Sequence, residues 1–153
     1  MKILLATDGS EYSNAAAEEL AARSLASNAE VRIISVFQST LLITAVPAPM
    51  GGLAGGAWEE ADAVAKKLAE EAVNNAAKIL TEKNPKLFTT NVVVEGSPKH
   101  AILQEADEFG ADLIVVGSHG RGAVGRFLLG SVSQSIALHA KCSVEIARRK
   151  DIS

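Results

Sequence analysis

Short runs rich in valine and isoleucine alternate with longer, alanine-rich amphipathic stretches along this chain. That alternation narrows the fold more than any single motif, because parallel strands can be joined only by a long crossover, and a helix is the usual one. Five strands are expected, at Lys2 to Thr7, Val31 to Phe37, Asn91 to Val94, Leu113 to Val116 and Val144 to Ala147. They read as nearly continuous apolar runs, the pattern of strands covered on both faces. Between the second and third, Trp58, Ala61, Ala65, Leu68, Ala72, Ala76 and Ile79 recur at three- and four-residue steps and mark one face of a helix from about Trp58 to Lys83, stopped by Asn84-Pro85. Ser97-Pro98 offers an N-cap followed by proline in the first turn, and Phe109-Gly110 offers a glycine stop. The helix they frame carries Ile102, Leu103, Ala106 and Phe109 on its apolar face. The reading is an α/β fold, an open five-stranded parallel sheet with helices on both faces.

A chain of 153 residues suits one ordinary domain, here 1–153, with a real core. With 48% hydrophobic but only 4% aromatic residues, that core must be aliphatic. The net charge of −3 and the scattered Lys and Arg residues give no broad basic face, so nucleic acid is not an expected partner. Cys142 is the only cysteine, so no intrachain disulfide can form, and it reads as a small core residue. Met1 leads straight into a strand-like run without a signal-peptide pattern, and a cytoplasmic setting is expected. The segment Gln38 to Ala57 reads as a long flexible insertion, and its apolar stretch is broken by Pro47, Pro49 and glycines, which excludes a membrane span. His100, His119 and His139 are too dispersed to suggest a metal site.

Ligands of open parallel sheets sit outside the carboxyl ends of the strands, at the point where strand order reverses. Three loops qualify: ATDGS after the first strand, the turn beginning at Val36, and GSHGRGAVGRFLLGS, Gly117 to Ser131, after the fourth. Glycines let a backbone approach an anion closely, and positive φ would let successive N–H groups turn inward around it. Gly130-Ser131 precedes a helical pattern in Val132, Ile136 and Ala140, so the free amides of a helix start would face the same anion, with Ser131 and Ser133 adding hydroxyls. A phosphate suits such a place. Asp8 could take hydrogen bonds from a ribose or share a Mg ion with the phosphates, and Asp8, Gly9 or Ser10 could each cap the first helix. The site reads as one for a nucleotide.

Two better-known patterns fit poorly. Gly120 to Gly125 matches the dinucleotide fingerprint formally, with Glu145 twenty positions further on, but Gly120 lies past the strand end and the helix opens only near Gly130. Gly120 to Phe127 approaches a P-loop but lacks both its lysine and its serine or threonine.

The spacing Gly117-x2-Gly120-x9-Gly130-Ser131, after DLIVV and before SVSQSIALHAKCSVEIAR, resembles the ATP-binding motif of universal stress proteins. KILLATDGS and EGSPKHAILQEADEFGADLIVVGSHG resemble that family's first strand and third helix region, so the likeness covers nearly the whole chain, Gln38 to Ala57 excepted. The resemblance implies strand order 3-2-1-4-5 in a Rossmann-like fold of the adenine nucleotide alpha hydrolase type, with ATP, accompanied by Mg, across the ends of strands 1 and 4. It implies Ala6, Thr7 and Asp8 at the adenine and ribose side and Val36 as a backbone contact to the base. Gly117, Gly120, Gly130, Ser131, Val132 and Ser133 would hold the phosphates, with Val116, Ser118, His119 and Arg121 in the same stretch. It further implies a homodimer through the last strand, Ser143 to Arg148, and a nucleotide-dependent stress-response module with at most slow ATP hydrolysis or autophosphorylation. No lysine or general base can be assigned to the glycine loop, which agrees with slow chemistry at best. The alternative is a non-nucleotide dimeric interaction module on the same fold. A phospho-accepting receiver domain fits less well, since Asp8 lacks acidic neighbours.

Overall fold

The computed structural model describes residues 1–39, 55–121 and 128–149. Five parallel strands, β1 (Lys2–Ala6), β2 (Glu30–Phe37), β3 (Phe88–Glu95), β4 (Leu113–Gly117) and β5 (Ser143–Ala147), form one sheet of order β3-β2-β1-β4-β5. Four helices join them: α1 (Glu11–Ala21), α2 (Gly55–Lys83), α3 (Pro98–Phe109) and α4 (Ser131–His139). The fold class and strand order are those expected. The flexible character expected of the 38–57 insertion concerns mainly residues 40–54, which lie outside the described residues, and its last part belongs to α2, which starts at Gly55.

Alternation along the strands produces two cores. Ile3, Leu5, Val31, Ile33 and Val115 face Ala16, Ala17 and Leu20 of α1 and Val73, Ala76 and Leu80 of α2. Leu4, Ala6, Ile34, Ile114 and Val116 face Ile102 and Ala106 of α3 and Ile136 of α4. The register holds this together, since Ile3 pairs with both Val31 and Leu113, and Leu5 with both Ile33 and Val115. β1 is therefore enclosed on both faces and both edges, which explains why its sequence is apolar without alternation. Cys142 packs half-buried against the second core, and burial pushes its thiol pKa up, as suits a small core residue.

Two local signals differ in part from expectation. α2 buries Ala69, Ala72, Val73, Ala76 and Leu80, whereas Leu68, expected on the core face, is 40% exposed and Ala61 is exposed. Ser97 takes the N-cap position of α3, but its hydroxyl makes no capping hydrogen bond, while Pro98 and the left-handed Gly110 (φ 68°) bound the helix as anticipated.

Candidate functional site

Strand order reverses between β1 and β4, and the crevice at their carboxyl ends is a cleft of about 530 Å³. β1 runs out through Thr7, whose N–H donates to the Ile34 carbonyl (2.9 Å) and whose hydroxyl donates to Ser13 Oγ (3.1 Å). The chain then turns at Gly9 (φ 78°), a left-handed conformation that disfavours a side chain, and enters α1. Of the three candidate caps, Ser10 is the one used: its Oγ accepts the Ser13 N–H (3.3 Å). The Asp8 carboxylate instead accepts the Ser10 N–H on Oδ1 (2.9 Å) and the Arg121 N–H on Oδ2 (2.9 Å).

On the other side, β4 ends at Gly117 and the backbone passes behind the start of α4. Ser118 donates its N–H to Ala147 of β5 (2.8 Å), and its carbonyl accepts the Gly130 N–H (2.8 Å) and the Ser133 hydroxyl (3.0 Å). These bonds tie both ends of the glycine loop to the sheet. The glycines are needed for closeness. A Cβ on Gly117 would lie 2.7 Å from the Tyr12 carbonyl atoms, one on Gly120 2.9 Å from Asp8 Oδ2, and one on Gly130 3.2 Å from His119 Cα. None of these three adopts positive φ, so the inward-turned arrangement expected of them is replaced by tight packing. Gly130 is the N-cap residue of α4 (φ −62°), and the N–H groups of Ser131, Val132 and Ser133 find no acceptor among the described residues.

All the residues expected at the site line this cleft except Ser118, which is buried behind it with its carbonyl and hydroxyl already engaged, the hydroxyl with His119 Nδ1 (2.9 Å). The His119 ring also stacks at a tilt on Tyr12, 5.0 Å between centroids. The cleft includes residues that motif reasoning missed: Ser13, Ile34, Gln38, Pro98 and Ile102. Two of these were within reach of periodicity. Ile34 lies two positions before Val36 on the same face of β2, and Ile102 lies one turn beyond Pro98 on α3.

The cleft is thus two-ended. Ala6, Ile34, Val36, Pro98, Ile102 and Val116 make an apolar slot, while Asp8, His119, Arg121, Ser131 and Ser133 add polar groups to the same cleft, which the open amides of α4 also line. Such an arrangement suits a ligand with a flat apolar part and an anionic end. A model of the universal stress protein family matches residues 1–148. The chain belongs to the universal stress protein family. It is 33% identical to a universal stress protein of Methanocaldococcus jannaschii, over 97% of this chain and 82% of that relative. Among solved structures, the universal stress protein UspA of Lactobacillus plantarum superposes with a TM-score of 0.75 at 24% identity, covering 97% of each chain, a likeness of fold. A universal stress protein in complex with cAMP superposes with a TM-score of 0.63 at 26% identity, over 97% of this chain and 96% of that one. Among its described residues, this universal stress protein has no helix long and apolar enough to cross a membrane and no cluster of three or more potential metal-ligating side chains.

Proposed function

We propose that this universal stress protein binds ATP in the cleft between β1 and β4 and acts as a nucleotide-dependent regulatory module of the stress response, in a cytoplasmic homodimer. The observation that carries the reading is the pairing, in one cleft, of an apolar slot with the unsatisfied amides of the α4 N-terminus. The base would lie in the slot near Val36, the ribose at Asp8, and the phosphates over Ser131, Val132 and Ser133, whose N–H groups and helix dipole favour negative charge. The cAMP complex of a related family member supports an adenine nucleotide as the ligand. Magnesium would arrive with the phosphates. The cleft offers it the Asp8 carboxylate, whose oxygens each accept one N–H and keep a free lone pair. Among the described residues no lysine lines the cleft, so hydrolysis is slow at most.

The test is a calorimetric titration of the ligand-stripped protein with ATP and magnesium, beside Gly130→Val. The branched side chain has no room against His119 Cα and the Ser118 carbonyl, so it should push the α4 amides away from the phosphates. Saturable wild-type binding weakened about 100-fold or more in the variant is expected, the equivalent of losing about two charge-assisted hydrogen bonds. Undiminished affinity in the variant would mean the phosphates lie elsewhere.

A further inference from the structure

Arg121 lies in the glycine loop, in the stretch that the family resemblance places beside the phosphates, yet its side chain turns back to the first loop. Its Nε–H donates to the Asp8 carbonyl (2.6 Å), and its backbone N–H donates to Asp8 Oδ2 (2.9 Å), so one residue holds both the main chain and the carboxylate of Asp8. The guanidinium lies over Gly9, where a Cβ would come 3.0 Å from Nη2. Gly120, immediately before it, has no Cβ at the place where one would press on Asp8 Oδ2. Two glycines on two different loops are therefore shaped around this one link. Arg121 also forms the wall between the main cleft and a second hollow lined by Gly9, Ser10, Glu11 and Tyr12.

We propose that Arg121 is a positioning residue that aligns the Asp8 carboxylate across the β1 and β4 loops, and so acts on the ribose end of the ligand rather than on its phosphates. This rests on the nucleotide reading above. The backbone N–H groups of Ser10 and Arg121 hold Oδ1 and Oδ2, and the Arg121 Nε bond to the Asp8 carbonyl keeps the two loops together so that the second of these is maintained, which favours one orientation of the carboxylate and its remaining lone pairs. Preorganising an acceptor in this way raises affinity by sparing the ligand the cost of ordering it.

The experiment measures affinities of ATP, AMP and adenosine without magnesium, so that only the ribose-end role of Asp8 is read, for wild type, Arg121→Ala, Arg121→Lys, Asp8→Ala and the Asp8→Ala, Arg121→Ala double variant, with thermal midpoints recorded beside them. Arg121→Ala should weaken all three ligands by a similar factor, about fivefold to tenfold, the worth of one ordinary hydrogen bond. Arg121→Lys should do no better, because it keeps the charge but has no N–H at the Nε position. In the Asp8→Ala background the arginine should no longer change affinity, although its Nε bond to the carbonyl of residue 8 remains and can still affect the thermal midpoint. A loss that grows with phosphate number, or a rescue by lysine, would overturn the proposal and make Arg121 a phosphate clamp, with the nucleotide reading intact. A loss that persists without the Asp8 carboxylate and tracks a lowered thermal midpoint would reduce Arg121 to a loop fastener. No binding of any of the three to wild type would end the nucleotide reading and this proposal with it.

Discussion

Gly117 shows at the scale of one residue how closely the site is built. It ends β4, and a Cβ there would meet the carbonyl carbon and oxygen of Tyr12 at 2.7 Å and the N of Ser13 at 2.9 Å, all backbone atoms of the first turn of α1. Backbone cannot move aside as a side-chain tip can, so a methyl group must lever α1 away from β4. Gly117→Ala is expected to cost about 1–3 kcal/mol in denaturant unfolding, the range for overpacking a filled interior. It should also weaken ligand binding, because displacing Ser13 breaks its contact with Thr7 at the cleft floor. A cost below about 0.5 kcal/mol, the level of an ordinary surface change, would show that the start of α1 is not held against β4. Gly130 differs in degree: its would-be contacts begin at 3.2 Å, so a single methyl there should be better tolerated than at Gly117.

At the scale of the element, α2 separates what periodicity can reveal from what it cannot. Its apolar residues recur helically along its length, yet among the described residues its buried positions begin only at Ala69, and Val64 and Leu68 are exposed (58% and 40%). Leu80→Ala should therefore cost about 2–5 kcal/mol in unfolding, the range for a fully buried leucine, whereas Leu68→Ala should stay within about 0.5 kcal/mol. Equal costs would put Leu68 back in the core. The central strands were legible because double coverage leaves them apolar throughout. β3 was recognised only at Asn91 to Val94 although it spans Phe88–Glu95, since an edge strand tolerates polar residues such as Thr89 and Thr90. The glycine positions of the site were legible because each is closely approached by a neighbour, Gly117 and Gly130 by backbone and Gly120 by the Asp8 carboxylate. The direction of Arg121 was not, because nothing in a one-dimensional spacing says whether a cation reaches out to a ligand or back to the neighbouring loop.

At the scale of the whole molecule, the question is what meets the open edges of the sheet. β3 and β5 are the two edge strands, and an unpaired edge invites another chain. They are not equivalent. Along β3 the polar Thr89, Thr90 and Asn91 interrupt the apolar residues, while β5 carries Val144 and Ile146, and α4, packed against it, leaves Leu138 72% exposed. Phe88 at the start of β3 is exposed as well (62%), so the choice of β5 as the dimer face proposed above rests on its Val144 and Ile146 together with the Leu138 side chain of the flanking helix. Light scattering on the eluting protein should then give twice the chain mass at micromolar concentration. Leu138→Asp should raise the dimer dissociation constant about tenfold or more, as expected when a charge replaces an apolar anchor, and should leave the monomer fold unchanged because that side chain supports no core. Gly130→Val acts at the opposite end of α4 and should leave the dimer intact while weakening ATP. If Leu138→Asp and wild type dimerise equally, the α4 flank lies outside the interface and β5 must pair by its backbone alone. A wild-type monomer would remove the homodimer from the proposal, and the cleft between β1 and β4 would have to transmit its nucleotide state through some other surface.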